Sequence, residues 1–410
     1  MDKIRFIHCA DLHLDSPYSG LHHLPESILQ DIKESTFLAF ERIIEFAIDE
    51  NVDFVLFVGD LFDQQSSSLK SLMRLKRGLN LLNEHNINAY ISFGNHDFGM
   101  HDKLNFNMPP NTYLFTSEKV SHFVFEKKPL TKVYIYSFSY EERSVTHKKV
   151  NEYKRMSDDG LHIGMLHGSI QSNNEHDQYA PFLIEDLKKA NFDYWALGHI
   201  HQRDILMKDP YAVYPGNIQG RHMKETGEKG CYLVELDEHE TSLTFHPVQN
   251  IIFNEIELDL GNIQHSQQII EQIELFKSKL RQQRMKMVVR LTLTIENETN
   301  ILNDRKIIEM IDFLNESEED EHTWIWIESI QVNKNINYDR NRLKSSHQFV
   351  GEVLRTIDNQ DNITAYFTEL LSNRKFNKYI DTLTNEELEE IKIRAEEMLL
   401  NELLKGGPAE

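Results

Sequence analysis

The sequence is poor in cysteine and contains no long apolar run. Its 410 residues include two cysteines, Cys9 and Cys231. Each lies in a strand-like apolar segment, which favours reduced core residues over a disulfide. No segment approaches the ~18 consecutive apolar residues of a membrane helix, and the charged start MDKIRF does not fit a signal peptide. We therefore expect a soluble, cytoplasmic protein without a membrane segment.

Positive charge is also scarce, since 44 Lys and Arg against 66 Asp and Glu give a formal net charge of −22. Sequence-independent affinity for DNA rests on basic side chains that neutralise phosphates, so this balance argues against nonspecific coating of nucleic acid. Any contact with DNA must be local. One stretch concentrates basic side chains, namely Lys277, Lys279, Arg281, Arg284, Lys286 and Arg290. We predict that these six residues contact phosphates, and a solvated helix face is the alternative.

The length of the chain predicts two or three domains, because 410 residues exceed one ordinary hydrophobic core. Residues 1–250 alternate strand-like and helical segments, including amphipathic helices over 25–51 and 67–85. Residues 251–335 repeat a smaller α/β pattern, which we interpret as a cap domain. The fold class predicted is therefore α/β.

The remaining segment, residues 336–410, begins with a polar linker and continues with helices near 347–358, 362–373 and 384–405. Thr384 and Glu387 form a capping box at the start of the last helix. Within the preceding domain, the acidic segment 316–321 is most simply a solvated turn. The last helix is either packed on its own domain or binds a partner.

Five short polar clusters each follow an apolar, strand-like run. They comprise Asp11 and His13, Asp60, Asn95 and His96, His167, and His199 and His201. The two-residue spacing of Asp11 and His13 can point both side chains the same way. Sheets that alternate with helices collect functional groups at the carboxyl ends of their strands. The clusters therefore predict one shared site.

The residue types in these clusters predict a pair of divalent metal ions. Carboxylate, amide oxygen and imidazole without thiolate suit manganese, iron or zinc. The two oxygens of Asp60 can bridge two ions, and ions ~3.5–4 Å apart can activate a water and clamp a phosphoryl group during displacement. The sequence therefore predicts hydrolysis of a phosphate ester.

The five motifs, D-x-H, G-D-x-x-D, G-N-H-D, H-G and G-H-x-H, resemble those of the calcineurin-like metallophosphoesterase superfamily over residues 1–250. Within it, the segments FIHCADLHLD, GDLFD and YPGNIQGRH resemble DNA repair exonucleases of the SbcD type, and most closely their YhaO-like bacterial branch. The resemblance implies a metallophosphoesterase β-sandwich flanked by helices. The protein-phosphatase forms G-D-x-V-D-R-G and G-N-H-E do not match this chain.

The resemblance also implies a role for each residue. One metal would be bound by Asp11, His13, Asp60 and His201, and the other by Asp60, Asn95, His167 and His199. Manganese is the metal we expect. His96 would lie beside the scissile phosphate and stabilise the transition state or protonate the leaving oxygen. Asp63 and Asp97 would orient neighbouring groups; some nucleases of the family carry a His where this chain has Asp63.

Three functions remain open on this evidence. The first is a metal-dependent DNA exonuclease or endonuclease that works in DNA repair with an SMC-like ATPase, as the resemblance implies for the C-terminal helices. The second is a phosphodiesterase or phosphatase for nucleotides or other small phosphate esters, which needs neither a basic cap surface nor a partner helix. The third is a scaffold whose metals hold the fold, and the complete ligand set disfavours it. A homodimer is implied by the resemblance alone.

Overall fold

The computed structural model describes residues 3–18, 20–21, 24–63, 68–100, 104, 108–127, 131–171, 179–295, 302–334, 340–345, 349–358, and beyond them 392, 395, 396, 399, 400 and 403. The chain divides into two compact units. One comprises 1–255, 279–289 and 315–326, and the other 256–278, 290–314 and 327–410. The predicted domain boundaries after residues 250 and 335 stay predictions.

The described elements alternate strands and helices over much of the chain. The strands are β1 Ile4–Ala10, β2 Phe54–Val58, β3 Asn88–Ser92, β4 Thr112–Leu114, β5 Ser121–Lys127, β6 Thr131–Ser137, β7 Leu161–His167, β8 Tyr194–Gly198, β9 Asp204–Lys208, β10 Tyr211–Tyr214, β11 Gly230–Leu236, β12 Thr241–Pro247, β13 Ile251–Gly261, β14 Lys286–Ile295 and β15 Ile325–Lys334. The α-helices are α1 Glu26–Asp49, α2 Leu69–Glu84, α3 Ile184–Ala190, α4 Ser266–Arg281, α5 Asp304–Asn315, α6 Arg340–Ser345 and α7 Phe349–Asp358.

Two six-stranded sheets form the larger part of the fold. Their strand orders are β12-β11-β1-β2-β3-β4 and β5-β6-β7-β8-β10-β9. In the first sheet β1, β2 and β3 run parallel, and in the second β6, β7, β8 and β10 run parallel. Parallel neighbours end at the same edge, so each sheet brings several strand ends together.

The two sheets pack face to face around a shared apolar core. Period-two alternation divides each central strand between its two faces. Phe54, Leu56 and Val58 of β2 point into the layer that also contains Ile163 and Met165 of β7. Fully burying a side chain of this size contributes about 1.5–3 kcal/mol. The predicted β-sandwich is confirmed.

Helices α1 and α2 cover the outer face of the first sheet. The opposite faces of β1 and β2 supply Ile7, Cys9, Val55 and Phe57 to this second core layer, and the helices add Phe37, Phe40, Ile43, Leu75 and Leu79. Ser68 caps the N-terminus of helix α2, since its side-chain oxygen accepts the N–H of Ser71 at 3.1 Å. The predicted helices over 25–51 and 67–85 are thus confirmed with ends shortened by one or two residues. The two cysteines are free and buried, as predicted.

A three-stranded sheet, β13-β14-β15, accompanies α4 and α5. This order of elements is the small α/β pattern expected after residue 250. The prediction of a solvated turn over 316–321 is wrong for Glu318, which is buried, pairs with Arg281 and accepts the N–H of Ile325 at 2.6 Å.

The helix expected near 347–358 corresponds to α7. The helix predicted at 362–373 lies outside the described residues. So does most of the helix at 384–405, of which the described positions are helical. Within the part of the chain that the structure describes, no helix combines the length and apolar character needed to cross a membrane.

Candidate metal centre

The seven predicted metal ligands follow or end five strands of the sandwich. Asp11 comes directly after β1, and Asp60 lies two residues beyond β2. Asn95 follows β3, His167 is the last residue of β7, and His199 comes directly after β8. The structure brings residues from these five loops together, because both packed sheets present their parallel strand ends there.

The first group of ligands consists of Asp11, His13 and His201. Their ligand atoms all lie within 4.8 Å of one another. The Nε2 atoms of His13 and His201 are 3.1 Å apart, so the two rings direct these nitrogens toward a common point. Asp11 and His13 are buried, whereas the side chain of His201 is 25% exposed. The group therefore opens to solvent on the His201 side.

The second group consists of Asp60, His167 and His199, whose ligand atoms also lie within 4.8 Å of one another. Asn95 belongs to the same place, since its Oδ1 is 3.1 Å from His167 Nε2 and 3.1 Å from His199 Nδ1. The amide oxygen and the two imidazoles thus converge. This grouping coincides with the second ligand set that the sequence resemblance implies.

Asp60 lies between the two groups. Its Oδ2 is 3.4 Å from His167 Nε2 in one group and 3.9 Å from His13 Nε2 in the other. Its Oδ1 accepts the backbone N–H of His96 at 2.9 Å, which fixes the orientation of the carboxylate. A single carboxylate in this position can contact an ion in each group.

The backbone at these loops adopts conformations that non-glycine residues rarely occupy. Asp11, His13, Asp60 and His199 have φ of 52°, 43°, 48° and 98°. Such conformations cost of order 1–3 kcal/mol each and concentrate at functional sites. Gly59 is required for the close approach, because a Cβ there would lie 2.1 Å from His167 Nδ1 and its φ is +73°.

The electrostatics of the cluster fit a bound cation. Burial raises the pKa of Asp11 to about 6. Burial opposes charge on His167, yet the adjacent Asp60 carboxylate raises the pKa of His167 to about 9. Burial likewise opposes ionisation of Asp60, but His167 holds the pKa of that carboxyl below its usual range. A proton on His167 offsets the buried negative charge, which is the electrostatic role that divalent cations would fill on this carboxylate and imidazole donor set.

His96 packs beside the first group, with its ring centroid 5.1 Å from that of His13. Its Nδ1 is 3.1 Å from the carbonyl oxygen of Asp63, and its side chain is 39% exposed. A carbonyl only accepts hydrogen bonds, so Nδ1 carries the proton and Nε2 is the nitrogen left for a ligand. The partly exposed side chain of His96 can therefore contact a phosphate through Nε2.

Asp63 and Asp97, the two residues expected to orient others, have different contacts. Asp63 Oδ1 lies 3.0 Å from His13 Nδ1 and 3.6 Å from His96 Nδ1. Asp97 is fully buried and accepts the backbone N–H groups of Leu61 and Gly94 at 2.6 and 2.7 Å. Asp97 thus joins two ligand loops, while Asp63 contacts the histidines.

His13, Asp63 and His96 also form a third convergent group. However, Arg221 Nη1 donates to Asp63 Oδ1 at 2.8 Å. Because a guanidinium already occupies the carboxylate, we interpret this group as a charged hydrogen-bonding network, not as a third cation site.

Two residues of the site were missed by the sequence analysis. Arg221 lies within the quoted YPGNIQGRH segment but was given no role, and Glu225 lies beyond it. Glu225 Oε1 is 2.6 Å from His201 Nδ1, and both Glu225 and Arg221 are largely buried beside the first ligand group. A buried acid four residues from a buried arginine is a weak sequence signal, since the same spacing is common on exposed helices.

The six basic residues predicted to contact DNA do not form one helix face. They extend from α4 through a turn into β14. Four of them have partners: Lys277 is 1% exposed and donates to the carbonyl of Leu314, Arg281 pairs with Glu318, Lys286 with Asp31 and Arg290 with Glu328. Lys279 and Arg284 are exposed. These ion pairs reduce the positive charge that the stretch offers, and DNA contact by it stays a prediction.

Comparison with known proteins gives one family and several relatives. The sequence model of the calcineurin-like phosphoesterase family matches residues 4–203. The metallophosphoesterase YhaO of Bacillus subtilis (strain 168) is 36% identical over 406 residues, which cover 98% of this chain and 98% of that protein.

Two more distant relatives share the name DNA double-strand break repair protein Mre11. The protein from Thermoplasma acidophilum is 25% identical over 55% of this chain and 63% of its own length. The protein from Methanocaldococcus jannaschii is 25% identical over 67% of this chain and 74% of its own length.

Proposed function

The chain belongs to the calcineurin-like phosphoesterase family and is a hydrolase of the metallophosphoesterase type, and from this premise we propose that it is a metal-dependent DNA nuclease acting in DNA repair. The name of the two distant relatives supports a DNA substrate. The match to the Methanocaldococcus jannaschii protein extends over 292 residues, which is more than the phosphoesterase segment alone. The observation that carries the proposal is the pair of ligand groups joined by Asp60 and flanked by His96.

Two divalent cations, manganese by preference, would be held by the two groups. Asp11, His13, Asp60 and His201 would bind one, and Asp60, Asn95, His167 and His199 the other. Such a pair supplies a water of lowered pKa and positive charge for the phosphate oxygens. The oxygen and imidazole donors suit manganese, iron or zinc, and the preference for manganese is tested below.

His96 would act on the phosphodiester itself. Its Nδ1 is held by the Asp63 carbonyl at 3.1 Å, so the ring keeps one orientation and Nε2 is the nitrogen that can contact the substrate. When the ring is protonated, Nε2–H can donate to a phosphate oxygen or to the leaving oxygen. A positioned general acid of this kind accelerates a reaction by about 10²–10⁴-fold.

The test compares two substrates. The purified chain is incubated with Mn²⁺ and either a labelled linear double-stranded DNA or bis-p-nitrophenyl phosphate, and zinc and iron(II) are tried in parallel. We expect His96→Ala to reduce turnover by about 10²–10⁴-fold. His239→Ala is the matched control, because this histidine is exposed on the β11–β12 turn.

Three outcomes separate the candidate functions. Degradation of DNA by the wild type and by His239→Ala, but not by His96→Ala, supports the nuclease. Cleavage of the small ester alone favours a phosphodiesterase or phosphatase for small phosphate esters. Absence of both activities in a protein with two bound ions favours the scaffold.

The partner, the dimer and the cellular location remain proposals. An SMC-like ATPase is implied by the resemblance of the C-terminal helices, and in α7 the side chain of Phe349 is 66% exposed. Co-purification of the full chain with such an ATPase, compared with a Phe349→Ser variant, tests that contact. The homodimer and the cytoplasmic location rest on sequence alone.

A further inference from the structure

The two ligand groups differ in what contacts their imidazoles from outside. In the first group, His201 Nδ1 lies 2.6 Å from Glu225 Oε1, and His13 Nδ1 lies 3.0 Å from Asp63 Oδ1. Both imidazoles thus have a carboxylate behind them, on the side away from the facing Nε2 atoms. The Glu225 carboxylate favours the His201 tautomer that keeps the proton on Nδ1 and leaves Nε2 with a lone pair, whereas the contact of Asp63 with His13 lacks hydrogen-bond geometry.

Arg221 connects these two carboxylates. Its Nη1 donates to Asp63 at 2.8 Å, and its Nη2 lies 3.5 Å from Glu225 Oε1. The other oxygen of Glu225 accepts the backbone N–H of Arg221 at 2.8 Å and the side-chain amide of Asn217 at 3.0 Å. Both oxygens of Glu225 therefore accept hydrogen bonds. These bonds hold the carboxylate in one position and satisfy it where it is only 6% exposed.

His167 of the second group has the Asp11 carboxylate 3.9 Å from its Nδ1, beyond hydrogen-bonding distance. Its Nδ1 lies 3.1 Å from the carbonyl oxygen of Val58. A peptide carbonyl fixes the tautomer as a carboxylate does, but it is neutral. In the first group, by contrast, the Glu225 carboxylate lies 2.6 Å from His201 Nδ1, and an imidazole that donates to a carboxylate is a stronger electron donor toward a cation than one that donates to a neutral carbonyl.

We infer that Glu225 and Arg221 are positioning residues that make the first ligand group the tighter of two divalent-cation sites, so that the two ions bind in sequence. The inference rests on the proposed function, because it presumes that both groups bind metal. Asp63 contributes a negative charge 3.0 Å from His13 Nδ1. The expected consequence is a centre that retains one ion when divalent cations are scarce and becomes complete only when they are abundant.

The affinity of each site for metal tests this inference without an activity assay. Full-length protein, freed of metal, is titrated with Mn²⁺, and free Mn²⁺ is followed by its electron paramagnetic resonance signal. The wild type should bind two ions with different affinities. His167→Ala isolates the first group, and His201→Ala isolates the second.

Glu225→Gln is then added to each single-site background. In His167→Ala it should weaken the remaining ion by about 10- to 100-fold, the usual effect of removing a group that orients a metal ligand. In His201→Ala it should change nothing. Glu228→Gln is the matched control, since Glu228 is exposed three residues away, and Asp63→Asn is a second variant of the same network. Circular dichroism and melting of the metal-free proteins establish that each variant folds.

The outcomes distinguish this inference from the proposed function. Selective weakening in the His167→Ala background supports it. Two ions of equal affinity in the wild type, or equal loss in both backgrounds in folded protein, overturns it while the dinuclear centre stands. A wild-type chain that binds no ion removes the proposed function as well.

Discussion

The protonation of His8 makes one prediction that can be worked through quantitatively. His8 lies on β1 and is fully buried between the sheets. Its Nε2 is 3.1 Å from the carbonyl oxygen of Leu197, so Nε2 donates, and its Nδ1 accepts from the Tyr194 hydroxyl at 3.0 Å. Both nitrogens are thus satisfied by the neutral ring. Burial lowers the pKa of His8 to about 3, with the Leu197 carbonyl acting weakly in the opposite direction.

The sign of the effect follows from linkage. In the unfolded chain the ring has an ordinary pKa of ~6.5, so the unfolded state binds the additional proton first as pH falls. The neutral ring therefore contributes stability that is fully present above pH ~6.5 and is lost as pH falls toward 3. Integrating the difference in bound protons from pH 7 to pH 5 gives a loss of about 2 kcal/mol from this one residue.

The assay is urea unfolding of the metal-free protein at pH 7 and pH 5, followed by far-UV circular dichroism. Other groups titrate in this interval, so the quantity compared is the difference between wild type and His8→Gln. The wild type should lose about 2 kcal/mol more than the variant. The exposed-residue control His239→Gln should lose as much as the wild type. An equal loss in wild type and His8→Gln would refute the reasoning, because it would mean that the ring titrates alike in both states.

Three further predictions concern the metal centre and the acidic segment. Asp60→Ala should lose both ions, because its carboxylate lies between the two ligand groups, whereas His96→Ala should keep them. The metal content of each purified variant tests this, and equal loss in both variants would make His96 a ligand. Gly94→Ala should reduce turnover by about 10²-fold, because its Cβ would lie 2.2 Å from Asp60 Oδ1 and 2.8 Å from Asp60 N; activity close to wild type would show that the loop yields without moving Asp60. Glu318→Ala should destabilise the fold by about 3 kcal/mol, because it leaves Arg281 and the Ile325 N–H without a buried acceptor. Substitution of the exposed neighbour, Glu319→Ala, should change the free energy of unfolding by no more than about 0.5 kcal/mol. Equal urea midpoints for the two variants would contradict a structural role for Glu318.

Most of the secondary structure was predictable because its periodicity is local. The apolar stripe of α1 and the continuous apolar run FVLFV of β2 each depend on neighbours within a few residues, and the predicted range of α1 agrees with the structure to within two residues. Long-range partners were not predictable in this way. Glu318 reads as part of a solvated acidic turn, yet Arg281, 37 residues earlier, pairs with it in the structure. The basic stretch from Lys277 to Arg290 reads as surface charge, although four of its members have acid or carbonyl partners.

The sequence by itself predicted the ligand types, their order and their positions at strand ends, because metal chemistry selects Asp, Asn and His and because each motif follows a short apolar, strand-like run. The family resemblance of its motif also predicted that His96 is not a ligand. The family resemblance also implied which ligands share a group, whereas only the tertiary structure showed the distances between them and the contacts of Glu225 and Arg221 with the first group. Those facts depend on packing two sheets face to face, which brings together loops separated by up to about two hundred residues, and no local pattern in the chain encodes that distance.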